Sequence, residues 1–389
     1  MAGQQLQEVS PSMASPSSSS SYCPQRLQAS IRSGRLRWAV NSEDWAPIGA
    51  EKGPEFQFLL SLIQETDDRQ QVTKYMRFQD QKRALISRLL VRHASASVLG
   101  LSSFRDVEIA RTKGKKPFLR KPRPVDIAAA AAATAAAPDC SGEGTTRTTT
   151  SSASSVAALA NFNFSVSHEG DWVVLASEPI CVCGVDVAAP QEVRPGGCSP
   201  SEIFRDLEDQ LTEAEWEFVR KQGASSGGPE GEDPLYSAFQ RHWCLKEAYV
   251  KARGDGLEFP FNRIEFQLRP ASLLDEEAAA GRRLGFAGRV DGVDLNPRWR
   301  FYQQRLPGNH WTAVARGPTT EVIDAFGEFK RTFTRPTDQL PPSEVTAELE
   351  AEEPPFEILP VAFLVPTDHI EGYEAAGGQK WQAIDAAAA

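Results

Sequence analysis

Trp243-Cys244-Leu245-Lys246-Glu247-Ala248-Tyr249-Val250-Lys251-Ala252 has the periodicity of a helix with two distinct sides. Leu245, Tyr249 and Ala252 fall on one side, and Trp243, Glu247 and Lys251 on another at spacings of four. Glu247 and Lys251 therefore project together. Taken alone, the pair reads as an exposed intrahelical ion pair worth a few tenths of a kcal/mol. Gly254-Asp255-Gly256-Leu257 ends the helix and turns the chain.

Upstream, Asn161-Phe162-Asn163-Phe164-Ser165-Val166-Ser167-His168 alternates polar and apolar, which puts Phe162, Phe164, Val166 and His168 on one face of a strand. Glu169-Gly170-Asp171 makes a turn. Trp172 to Ala176 and Cys181 to Val187 form two more strands, joined through Ser177-Glu178-Pro179, and the second runs toward Asp186. A carboxylate at the end of an apolar strand is poorly placed for packing and well placed for a ligand. Short alternating strands combined with long amphipathic helices give an α+β class.

Further out, Leu36 to Val40 alternates as a strand, and Lys74 to His93 reads as an amphipathic helix with Arg83, Arg88 and Arg92 along a basic edge. A basic loop, Arg111-Thr112-Lys113-Gly114-Lys115-Lys116-Pro117, follows. From 127 to 155 the chain is almost entirely Ala, Ser, Thr and Gly, too poor in apolar surface to offset its ordering entropy, and reads as a surface insertion. Gly223 to Asp233 is a second break.

Four segments in order, R-T-K-G-K-K-P (111–117), S-V-S-H-E-G-D (165–171), G-V-D-V (184–187) and W-C-L-K-E-A-Y-V-K-A-R-G-D-G-L (243–257), resemble the 4'-phosphopantetheinyl transferases, most of all the broad-range eukaryotic form. The resemblance runs from about Leu36 through Val314, outside the insertion. It implies two similar α/β halves about a pseudo-twofold axis, with coenzyme A in the cleft between them. It also implies transfer of phosphopantetheine from coenzyme A to a serine of an apo acyl or peptidyl carrier protein, with Mg²⁺ and release of 3',5'-ADP.

By the same resemblance Asp186 and Glu247 are the metal acids, while Lys246 and Lys251 bind the pyrophosphate. Ser165, Ser167 and His168 line the coenzyme A site, and Arg111, Lys113, Lys115 and Lys116 contact its ribose and 3'-phosphate. Mg²⁺ takes about six oxygens and keeps waters, so one or two carboxylates suffice. Two departures stand out. Many members carry a third acid two residues after the metal-binding Asp, here Ala188; Glu169 is the candidate to replace it, as a metal ligand or in the base relay. The eukaryotic form has an Arg before its first amphipathic helix, here Gln71, with Arg69 and Lys74 nearby. Glu247 or a metal-bound water is the general base. The rival reading is a catalytically silent carrier-protein or nucleotide-binding module, which would predict loss of an acid or lysine that is present here.

The composition fits this picture once charge is located. The 389 residues are 41% hydrophobic and carry net charge −10, which disfavours nucleic acid or an anionic membrane as a partner. Yet Arg32 to Arg123 holds 19 basic and 10 acidic residues, net +9, whereas Glu344 to Asp385 holds 1 basic and 10 acidic, net −9. The first block can hold an anionic cofactor. The six cysteines are irregularly spaced and read as free thiols, and no run is long enough to span a membrane. The expected organisation is a disordered Ser-rich tail over 1–34, halves over 35–180 and 181–316, and an acidic, Pro-rich tail over 317–389, with a monomer in the cytoplasm. The Ser-rich start leaves organelle targeting open.

Overall fold

The computed structural model describes residues 23–123, 126, 159–190, 200–223, 233–268 and 284–380. The Ala/Ser/Thr insertion, most of the Gly223 to Asp233 break and the first 22 residues lie outside them. Helix α1 (Pro24–Ser33) leads into strand β1 (Arg37–Asn41), then α2 (Pro54–Ser61), α3 (Thr66–Thr73) and the long α4 (Phe78–Leu99). The hairpin β2 (Glu108–Arg111) and β3 (Pro117–Lys121) precedes β4 (Asn163–Glu169), β5 (Trp172–Glu178) and β6 (Val182–Ala188). Next come α5 (Pro200–Asp206), α6 (Glu213–Gly223) and α7 (Pro234–Arg253). Strands β7 (Ile264–Gln267), β8 (Leu284–Gly285), β9 (Ala287–Val290), β10 (Val293–Asp294), β11 (Arg300–Leu306) and β12 (His310–Gly317) follow, then α8 (Pro342–Glu350), β13 (Glu357–Ile358) and α9 (Ile370–Ala375).

Two four-stranded sheets carry the fold, in the orders β13-β1-β5-β4 and β6-β12-β11-β8. The chain crosses from one to the other between Glu178 and Val182. Alternation explains how they stack. On β5, Val173 and Leu175 face α4 and its Leu85 and Leu89, while Trp172, Val174 and Ala176 face Cys183, Val185 and Val187 of β6. The odd-numbered residues of β6 thus meet the first sheet, and its even-numbered ones turn toward α7. Each sheet has one long helix on its outer face, α4 on the first and α7 on the second.

Helix α7 is fixed at both ends. Asp233 accepts hydrogen bonds from the backbone N–H groups of Leu235 (3.0 Å) and Tyr236 (3.3 Å), Pro234 occupies the first turn, and Gly254 closes it at φ 85°. Its approach to β6 depends on Gly184. A Cβ there would lie 1.9 Å from the carbonyl oxygen of Ala248 and 2.4 Å from the nitrogen of Ala252. The glycine of G-V-D-V is what lets the helix lie against the strand that carries Asp186.

Both expected tails need correction. Residues 24–33 are helical, with Leu27 buried on the first core, because Leu27 and Ile31 stand four apart in a segment that composition alone makes look polar. The segment after 317 is folded onto the body: β13 pairs in parallel with β1, and Leu359, Val361, Leu364, Val365 and Tyr373 join the first core. Its acids also have partners. Glu353 and Glu178 alternate with Arg37 and Arg316 in a buried ring: Arg37 reaches Glu178 and Glu353 at 2.5 Å, and Arg316 reaches them at 3.0 and 2.6 Å. The sequence marks the segment only as an acidic, Pro-rich tail because the partners of its acids, Arg37 above all, lie outside it. No helix among the described residues is long and apolar enough to cross a membrane.

Candidate active site

Strands β4 and β6 are edge neighbours of the two sheets and come into contact along their length. Asn163 stitches their starts, accepting from the Cys183 N–H at 3.1 Å and donating to the Cys181 carbonyl at 2.7 Å. Four residues on, the same face brings Ser167 to Asp186. The Ser167 hydroxyl donates to Asp186 Oδ1 at 2.7 Å, and the Lys251 ammonium donates to that oxygen at 2.5 Å and to Ser167 Oγ at 2.9 Å. Ser165 lies buried two residues deeper on this face.

Glu247 stands one turn before Lys251 on α7 and is half-buried. Burial and then the negative charge of Asp186 raise its carboxyl to about 7, Glu169 adding to the effect and Lys251 opposing it. Glu169, at the end of β4, accepts from the Ala189 N–H at 3.3 Å, so it crosses toward the end of β6. Asp186, Glu247, Lys251 and Glu169 thus converge where the two sheets meet. Among the described residues no three His, Cys, Asp or Glu side chains cage a metal by themselves.

His168 points from the opposite face of β4. It is open to solvent, yet the surrounding protein mass, followed by the charges of Arg83, Lys251 and Arg88, pushes its pKa down to about 4. At neutral pH it carries no charge and has one N–H to donate. Arg83, which with Arg88 the sequence marks only as a basic helix edge, donates to the Gly170 carbonyl two residues past His168 and so borders the candidate site. Asp68 of α3 organises their neighbourhood, lying 3.4 Å from Arg88, 2.8 Å from Arg92 and 3.7 Å from Arg111. Arg69 and Lys74 bond to Thr66 and Gln71 beside them.

The basic loop divides in two. Arg111, Lys113 and Lys115 are exposed, and Gly114 packs so close to α7 that a Cβ would come within 2.5 Å of the Gly254 carbonyl oxygen. Lys116 is turned inward. Its ammonium donates to the carbonyls of Cys183 (2.9 Å) and Lys251 (2.8 Å), and burial lowers its pKa to about 8. Expected on the ribose and 3'-phosphate, it instead fastens the loop to β6 and to the end of α7.

Lys246 is likewise displaced from its expected place at the pyrophosphate. Adjacent helical residues point about 100° apart, so it cannot share the face of Glu247. It is fully buried, 2.6 Å from Glu215, and donates to the carbonyls of Gln210 (3.1 Å), Phe261 (2.9 Å) and Ile264 (2.8 Å).

Residues 43–132 match the N-terminal 4'-phosphopantetheinyl transferase model, and residues 182–313 match that of the 4'-phosphopantetheinyl transferase superfamily. The chain belongs to the 4'-phosphopantetheinyl transferase superfamily. A relative from Xenopus laevis, L-aminoadipate-semialdehyde dehydrogenase-phosphopantetheinyl transferase, is 30% identical over 284 residues, covering 73% of this chain and 76% of its own. The rat protein of that name is 27% identical over 281 residues (72% and 74%). A phosphopantetheinyl transferase from Thraustochytrium sp. is 29% identical over 260 residues (66% and 74%).

Proposed function

We propose that the chain transfers 4'-phosphopantetheine from coenzyme A to a serine of an apo acyl or peptidyl carrier protein, with Mg²⁺ held by Asp186 and Glu247 and supported by Glu169. The observation that carries this reading is the Lys251 ammonium on Asp186 at the junction of β4, β6 and α7, beside a Glu247 whose ionisation Asp186 opposes, with Glu169 reaching across to the end of β6. Acids crowded until one resists ionisation suit a divalent cation, and an incomplete protein cage suits one that keeps waters and substrate oxygens. When bound, Mg²⁺ would neutralise pyrophosphate charge.

The chain's own groups account for the rest. Arg111, Lys113 and Lys115 are exposed cations for the ribose and 3'-phosphate, with Arg83, Arg88 and neutral His168 beside them and Ser165 and Ser167 along the strand. The serine oxygen bonds to the pantetheine-bearing phosphorus, the phosphoanhydride bond to 3',5'-ADP breaks, and a Glu247 oxygen takes the serine proton. Lys251 would stabilise the charge developing on the leaving phosphate. The relatives' names point to an aminoadipate-semialdehyde dehydrogenase carrier, which fits lysine biosynthesis. The test is mass spectrometry of several apo carriers after incubation with the chain, coenzyme A and Mg²⁺. A phosphopantetheine increment is expected, and none on any carrier would overturn the reading.

A further inference from the structure

The segment after β12 displays apolar side chains it had the means to hide. Val322, Phe329 and Phe333 pack into the α7 core, while Ile323 and Phe326 remain 47% and 66% exposed. The segment is held in place. The Ile323 N–H donates to the Arg253 carbonyl at 2.7 Å, the Gly327 N–H to Asp324 at 3.1 Å, and the Lys330 N–H to the Asp324 carboxylate at 2.9 Å. It is also beside the site. Arg253 is two residues past Lys251, and Gly254 contacts both Ile323 and Gly114 of the basic loop. Lys330 and Arg331 are exposed on the same turn and have no ion-pair partner among the described residues, whereas the acid between them and Phe326, Glu328, is turned to Arg120 at 3.6 Å.

Exposed Ile and Phe rimmed by unpaired cations fit an amphipathic helix with acidic side chains and an apolar residue in the centre. We infer that Ile323, Phe326, Lys330 and Arg331 form the docking surface for an acidic helix of the carrier domain, an inference that rests on the transferase reading. The surface starts within one helical turn of Lys251, so a docked helix brings its neighbouring serine toward the acids.

The test compares the full chain with Ile323→Ser, Phe326→Ser and the double variant Lys330→Glu/Arg331→Glu, using an apo carrier in steady-state kinetics and fluorescence-anisotropy binding. KM and Kd for the carrier should rise about tenfold or more, with KM for coenzyme A unchanged, and the charge variant should lose most of the salt dependence of kcat/KM. Unaltered carrier KM and Kd in all variants would overturn the docking surface alone. Carrier binding by the unaltered chain without transfer, weakened by the same variants, would overturn the catalytic reading and leave the surface standing.

Discussion

The ammonium of Lys251 lies 2.5 Å from Oδ1 of Asp186. A cation held by this carboxylate would sit beside the ammonium and be opposed by its like charge. Lys251→Met should lower kcat about a hundredfold to a thousandfold, the scale of losing one charge-stabilising donor, while tightening the Mg²⁺ half-saturation. A Mg²⁺ titration of carrier modification reads both. An unchanged kcat would remove Lys251 from the chemistry.

Mg²⁺ affinity should depend on pH near neutrality. The Glu247 carboxyl, raised to about 7, holds a proton below that pH, and a metal must displace it. Affinity should therefore rise with pH through about 7 and level off above it, with close to one proton released per ion bound at acid pH. Calorimetry in buffers of differing ionisation enthalpy measures the release.

Glu169→Gln removes one of the negative charges acting on Glu247. Its proton should come off at lower pH, moving the acid limb of the kcat/KM profile downward, and Mg²⁺ should bind more weakly. Full activity with unchanged Mg²⁺ dependence would exclude Glu169 from both the metal site and the proton relay.

Lys246→Met should act on stability. It removes the cation beside buried Glu215 and leaves that carboxylate to His242 and the N–H groups of Thr212 and Phe266, a change that costs about 3 kcal/mol. Denaturant unfolding measures the loss, and the KM for coenzyme A of the folded fraction should stay within about twofold, well under the tenfold that 1.4 kcal/mol of lost contact would give. A large KM rise in a stable variant would return Lys246 to the pyrophosphate.

The buried ring predicts acid sensitivity. Burial raises the Glu178 carboxyl, but Arg316, Arg35 and Arg37 overcome that and bring it from 4.5 down to about 2. A carboxyl depressed in the folded state stabilises above its unfolded value, so the contribution is complete above about 4.5 and disappears as pH falls through about 2. It is on the order of 3 kcal/mol. Unfolding free energies in that window should fall less steeply for Glu178→Gln.

Legibility followed range. Strands β4 to β6 and helix α7 were readable because their alternation and helical spacing are local, and Asp186, Glu247 and Lys251 because motif and periodicity put each at a strand end or on one helix face. The neighbours Lys115 and Lys116 offer no local signal for which of them turns inward; the decision lies with the carbonyls of Cys183 and Lys251. Lys246 is settled by Glu215, thirty-one positions earlier. The partners of Glu353, Arg37 and Arg316, lie 316 and 37 positions away, beyond any window of composition.

Strand β1 pairs Trp38 with Glu357 of β13. During synthesis its backbone groups on that side therefore stay unpaired until some three hundred further residues have been made. At about 5 to 20 residues per second that is on the order of 15 to 60 seconds, a period in which the nascent chain displays an open sheet edge able to capture another strand. Ribosomes stalled before residue 357 would release chains with that edge permanently open.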